Sequence, residues 1–206
     1  MNSSKPTAAE AVNILPVNTQ SKPTLKERFK DPARWPAEPV APTDPLDAER
    51  FDRALVTLCR PVGAGAPPTH TSRIVGLVRQ AAETAGVDPF LLGALVQQQS
   101  ACSAKQNRKA GIGLLQIQPA MFDAGAKLPV ARSAFSESRL LDPGQNLATG
   151  AALLKMWERE HATLDAKFPG VPHRTAVAHF IWGDRVWAAS SEDRVLTARR
   201  RLLELY

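Results

Sequence analysis

The sequence predicts an all-α domain over residues 46–206, preceded by a disordered, proline-rich extension over residues 1–45. Three observations carry this reading. Apolar residues recur at intervals of three and four in several separate stretches, as they do on one face of a helix. Two Asp-Pro pairs, Asp88-Pro89 and Asp142-Pro143, each supply a capping carboxylate followed by a first-turn proline. Apolar/polar alternation, the mark of a half-buried strand, is almost absent.

In chain order, the extension comes first. Pro6, Pro16, Pro23, Pro32, Pro36, Pro39, Pro42 and Pro45 remove backbone donors and push their predecessors toward extended conformations. The apolar residues among them are too scattered to bury a core, so this stretch reads as a tether. Leu46, Phe51, Leu55 and Leu58 place a first helix over Asp44–Leu58, ended by Pro61. Ser72 is positioned to cap a second, in which Ile74, Leu77, Val78, Ala81, Ala82 and Ala85 share a face and Gly86 is the stop. Asp88-Pro89 opens a third helix through Ser100. A short helix and an irregular loop are expected between Met121 and Leu141. Asp142-Pro143, with Gln145 suited to a capping box, opens a helix to about His161. Further helices are predicted over Pro172–Trp182 and Ser191–Leu205.

Composition narrows the function classes. The chain of 206 residues is 44% apolar and carries a net charge of +6. No run approaches the roughly 18–20 apolar residues that span a bilayer, so no transmembrane segment is expected. The first twenty residues lack the basic-then-apolar pattern of a secretory signal, which leaves an internal location or a signal outside this chain open. A basic balance suits nucleic acid, an anionic membrane or an anionic wall polymer. Acidic and basic residues are interspersed, however, and no aromatic-basic platform for bases is present, so nucleic acid is not expected as a partner. Arg199-Arg200-Arg201 reads as the solvated face of the last helix. Cys59 and Cys102 lack a CxxC spacing or ligating neighbours, so neither a metal nor another cofactor is expected. Two free thiols and one disulfide, the latter worth roughly 3–4 kcal/mol by loop entropy, both remain open at this point.

The stretch Leu91–Pro119 makes an unusual demand. An apolar helix, FLLGALV, ends in Gln97, Gln98, Gln99 and Ser100; Gly111 and Gly113 then permit close backbone approach before LLQIQP. Polar residues between apolar segments suggest a cleft, and amides read sugar hydroxyls and acetamido groups well. GVDPFLLGALVQQQS, AGIGLLQIQP, LLDPGQNLATGAALLKMW and TAVAHFIWGDRV, in that order, closely resemble the soluble lytic transglycosylase and goose-type lysozyme family over about residues 72–190. That family has a helix ending in Glu-Ser, a Gly-Leu-Met-Gln loop, an Asp-Pro…Asn…Gly helix and an Ala-Tyr-Asn-x-Gly segment.

The resemblance implies a lysozyme-like helical fold and peptidoglycan glycan strands as the ligand. It sets Gln99 at the position of the catalytic glutamate, followed by the matching Ser100. Gln116, in Gly113-Leu114-Leu115-Gln116, and Gln118 become candidate sugar contacts; Asn146 and Gly150 match positions read as structural. Phe180 stands where a tyrosine is usual and Ile181 where an asparagine is usual. Phe180, Trp182 and Trp187 are aromatic candidates for packing against sugar faces, with Trp182 equally readable as core.

Family members cut the β-1,4 bond after N-acetylmuramic acid without water, leaving a 1,6-anhydro product, with one glutamic acid serving as acid and then base. Glutamine donates a hydrogen bond but neither delivers a proton nor takes one back. The sequence therefore leaves two readings: a glycan-binding domain inactive in cleavage, or a non-catalytic scaffold for an envelope protein partner. Gln99 is either a natural divergence or an isosteric replacement that traps substrate, and Phe180 and Ile181 favour the former. Glu137, Asp184 and His179 are the groups that would have to compensate, each more simply read as a surface acid, a cap or a packed histidine. The implied location is the cell envelope, periplasmic in expectation. There a Cys59–Cys102 disulfide would pin the first helix to the loop after Gln99.

Overall fold

The computed structural model describes residues 38–60, 69–104, 107–108, 111–119, 128–167, 173–182 and 191–206. Among them the helices are α1 (Ala48–Cys59), α2 (Thr69–Ala85), α3 (Pro89–Ser100), α4 (Glu137–Leu140), α5 (Pro143–Lys167), α6 (Arg174–Trp182) and α7 (Ser191–Leu205). Two short strands, β1 (Asn107–Arg108) and β2 (Gly111–Ile112), form an antiparallel pair between α3 and α4. The fold is all-α.

The Asp-Pro pairs act as their chemistry demands. Asp88 Oδ1 accepts from the Phe90 N–H and Asp142 Oδ1 from the Gln145 N–H, both at 2.8 Å. Other boundaries shift for local reasons. α1 begins at Ala48 rather than Asp44 because Asp47 is its cap, accepting from the Arg50 N–H at 3.0 Å. α2 begins at Thr69, which puts Ser72 inside the helix and not at its cap. α5 runs past His161 to Lys167, since no proline or glycine interrupts it before Pro169. A 3₁₀ turn at Arg132–Phe135 leads into α4; residues 120–127 and Pro172 lie outside the described residues.

α3 is the central helix. Phe90 to Val96 are all buried, and a helix apolar on every side must be enclosed by others. It packs against α7, α2 and α1, while α2 lies along α5 and α5 along α6. Gly93 sets how closely the neighbours approach: a Cβ there would lie 3.1 Å from Leu202 Cδ2 and 3.2 Å from Leu55 Cδ1. Phe90 meets Phe51 and Tyr206 edge-to-face, at 5.4 and 5.1 Å between ring centres. Each such pair adds about 0.5–1.5 kcal/mol beyond the area it buries. The Tyr206 hydroxyl oxygen accepts from the Asp47 N–H at 3.0 Å, which fastens the end of the chain to the start of α1.

The triple-arginine run differs from the solvated face expected of it. Arg199 is 1% exposed. Its guanidinium donates to Asp88 Oδ2 at 2.7 Å and to the Pro39 carbonyl at 2.8 Å, and it lies 3.7 Å from Glu38. A charge taken out of water needs such partners, and here they come from the α3 cap and from the segment preceding α1. Arg200 lies 3.9 Å from Glu38. Of the three, Arg201 is exposed. His173 extends the network, with Nε2 3.7 Å from Asp88 and Nδ1 3.0 Å from Glu158 of α5.

Arg199→Leu leaves Asp88 and Glu38 without their central cation. Urea denaturation is expected to show a loss of about 3–5 kcal/mol, and a loss below about 1 kcal/mol would mark the pair as solvent-screened. Burial holds the Glu38 carboxyl above the usual carboxylate range, against the pull of Arg200, Arg199, Arg174 and His173. The folded protein therefore takes up this proton before the unfolded chain does, and the Glu38 contribution to stability falls as pH rises through its folded pKa. Glu38→Gln is expected to gain stability relative to the wild type across that window and to hold a constant offset above it, as read by urea titrations at stepped pH.

Candidate functional site

The site is built from the C-terminal end of α3 and the hairpin that follows. β2 pairs with β1, Asn107 opposite Ile112 and Arg108 opposite Gly111. Ile112 then exchanges both backbone hydrogen bonds with Ile117, at 3.0 and 3.1 Å, and closes the turn Gly113–Gln116. Gly113 takes φ +73°, and a Cβ there would lie 2.3 Å from both Asn146 Nδ2 and the Leu140 carbonyl oxygen. At Gly111 a Cβ would meet the Gln116 carbonyl oxygen at 2.1 Å. Both glycines are therefore required by close approach, as their spacing before LLQIQP implies.

Asn146, fully buried on α5, holds this turn in place. Its Oδ1 accepts from the Leu115 N–H, and its Nδ2 donates to the carbonyls of Ile112 and Leu140, all at 2.9 Å. One side-chain amide thus bonds three backbone groups, two buried and one half-buried, from two separate segments. Gly150, one turn further along α5, makes room for Leu115: a Cβ would stand 2.2 Å from Leu115 Cδ1. The Gln116 side chain folds back into its own turn, Nε2 donating to the Gly113 carbonyl at 2.7 Å, and is 9% exposed. Gln118 is half-buried just beyond.

Gln99 lies in the last turn of α3 and is half-buried. Ser100 is fully buried, its hydroxyl donating to the Val96 carbonyl at 2.9 Å within the helix. The chain then leaves through two residues in left-handed conformation, Ala101 (φ 50°) and Cys102 (φ 60°). Such backbone costs of order 1–2 kcal/mol per non-glycine residue and persists only where its surroundings hold it. Here the Ala101 N–H bonds the Gln97 carbonyl at 2.9 Å, and Cys102 is joined to Cys59 of α1 by a disulfide with Cα atoms 5.7 Å apart. The bridge and the cap together fix the exit of the chain directly after Gln99.

The remaining candidates divide by environment. Phe180 and Ile181 are half-buried against the core. His179 is buried and stacks on Trp157, ring centres 4.7 Å apart, in the packed arrangement that its neighbours on α6 suggest. Glu137 is exposed at the first position of α4. Asp88 is committed to the α3 cap and to Arg199. The side chain of Trp182, and Asp184 and Trp187 entirely, lie outside the described residues. Among the described residues no cluster of three His, Cys, Asp or Glu could hold a metal ion, and no helix is long and apolar enough to cross a membrane. The half-buried groups Gln99, Gln118 and Phe180 retain access to solvent, whereas the Ser100 hydroxyl and the Gln116 Nε2 donate to the scaffold. The chemistry within reach at Gln99 is that of a neutral amide, which donates and accepts hydrogen bonds without transferring a proton.

An α3 ending in a polar turn, a glycine hairpin against it and a long helix tying the hairpin down define a lysozyme-like helical domain. The family model of the transglycosylase SLT domain matches residues 76–167, from α2 through the end of α5. The match supports an SLT, lysozyme-like domain over these residues, a class of lytic-transglycosylase-type, peptidoglycan-related domains that act in the cell envelope. The match takes in Gln99, Gln116, Asn146 and Gly150. Searches of curated proteins and of solved structures returned no match.

Sequence reasoning assigned Asn146 to structure but did not reveal its three partners, because the Leu140 carbonyl carries no side-chain signal. Asn146→Ala would strand the Leu115 N–H and the Leu140 carbonyl, at about 1–3 kcal/mol for each buried group left unsatisfied, while the Ile112 carbonyl keeps its bond from the Ile117 N–H. The expected loss is about 3–5 kcal/mol in chemical denaturation, together with faster hydrogen exchange at the Leu115 amide.

Proposed function

We propose that this domain binds the glycan strands of peptidoglycan and does not cleave them. The observation that carries the reading is Gln99, an amide in the final turn of the buried helix of an SLT domain. Cleavage by one acid-base group requires that group to protonate the leaving oxygen and then take a proton back from the sugar. Each transfer typically contributes about 10²–10⁴-fold, and an amide supplies neither. An amide does preserve the size and hydrogen-bonding reach of the acid, so recognition survives where chemistry stops.

The bound strand would meet Gln99 and Gln118 as polar contacts and Phe180 as an apolar face, with Ser100 and Gln116 supporting the backbone around them. Phe180 and Ile181, apolar and packed against the core, support natural divergence over a single introduced replacement. The proposed location is the periplasmic face of the cell envelope. A non-catalytic scaffold for an envelope protein is the second reading, supported by a cationic groove beside α3 described below.

Retention on insoluble peptidoglycan is the first expected outcome, and a protein left wholly in the supernatant would sink glycan binding in favour of the scaffold. Incubated with purified sacculi, the wild type is expected to release no 1,6-anhydro-muropeptides. Their release by the wild type would overturn the reading, whereas release by Gln99→Glu alone would show that the rest of the machinery is complete.

A further inference from the structure

We propose that the groove between the end of α1, the last turn of α3 and the outer face of α7 docks an acidic, extended peptide segment of a protein partner. The groove encloses about 410 Å³. Arg60, which caps α1, and Arg194 and Arg201 on α7 place guanidinium groups around it. Among the described residues none of these three is in an ion pair, whereas on the same helices Arg53 pairs with Glu49 and Arg199 with Asp88. Asp193, also on the rim, is engaged by the buried Arg174 and does little to offset the positive charge.

Spacing narrows the ligand. Arg194 and Arg201 are separated by two helical turns, about 10–11 Å along α7. A peptide in the extended polyproline II conformation rises about 3.1 Å per residue with three residues per turn, so carboxylates at positions i and i+3 share one side about 9 Å apart. Guanidinium groups bind carboxylates in bidentate geometry. Leu58 and Ala198, largely buried, form a narrow apolar floor between the charges, which only small residues at i+1 and i+2 could lie across. Gln98 Nε2 donates to Gln97 Oε1 at the open end of α3, which leaves the Gln97 Nε2 and the Gln98 Oε1 on the groove for a peptide backbone. A simple polyanion would satisfy the arginines but leave the apolar surface and the amides unused. The peptide is therefore the better complement, and the inference stands whether or not the domain binds glycan.

The experiment is fluorescence anisotropy of the full chain with a labelled peptide containing Glu-Ala-Ala-Glu between Gly-Ser flanks. Binding is expected to weaken at least tenfold when both glutamates are replaced by glutamine, and to weaken as salt is raised. The double variant Arg194→Gln/Arg201→Gln is expected to lose at least tenfold, with an unchanged melting temperature because both side chains are exposed. If that variant is unstable, Arg201→Glu alone is to show the same direction. Absence of binding, equal binding of the glutamine peptide, or undiminished binding by the variants would overturn the proposal. So would displacement of the label by soluble muropeptides or inorganic polyphosphate at lower concentration than by unlabelled peptide, which would reassign the groove to a wall fragment or a simple anion.

Discussion

The side-chain amide of Asn146 is the constraint on which the site depends. The hairpin after α3 has little regular secondary structure, so its backbone groups must find partners elsewhere or remain unsatisfied inside the protein. Asn146 supplies two of those hydrogen bonds, and a third to the Leu140 carbonyl at the end of α4, from a fully buried position on α5. Gly113 and Gly150 exist in this arrangement to let the amide and Leu115 come close enough. The geometry of the polar turn is thus set by α5, a helix that contributes no proposed ligand contact from this region.

Much of the fold was legible because its signals are local. The Asp-Pro pairs cap α3 and α5 through their own backbone neighbours, and the apolar run from Phe90 to Val96 can only be a buried helix. The site was legible through ordered motifs: Gln99, the glycines and Asn146 all fall inside the SLT match. What escaped the sequence is what depends on distant partners. Arg199 looks like one of three surface cations until Asp88, Glu38 and Pro39, each more than a hundred residues away, close around it. Ser72 has the right chemistry for a cap, yet the helix starts earlier and takes it into its interior. The Gln116 amide is equally suited to a sugar or to its own turn, and only the left-handed backbone at Gln116 shows that it reaches the Gly113 carbonyl.

The two ends of α3 are stabilised by different physics. Its start is electrostatic: Asp88 serves at once as the cap of the helix and as the partner of Arg199, with His173 and Glu158 beyond. Its end is covalent and steric, fixed by left-handed residues and the Cys59–Cys102 bridge. Salt and pH act chiefly on the first and reductant on the second. The turn bearing Gln99 is therefore held by interactions that ionic conditions affect little.

The direction of α3 gives position 99 a further meaning. The aligned peptide dipoles leave the C-terminal end of a helix partially negative, which disfavours an anion and favours an uncharged side chain. A carboxylic acid at that position would have its protonated form favoured by the same dipole. Gln99 has the shape and neutrality of that protonated acid, with a nitrogen where the acidic hydroxyl would be. The amide thus puts no electrostatic stress on the helix terminus and gives the fold no reason to rearrange around it.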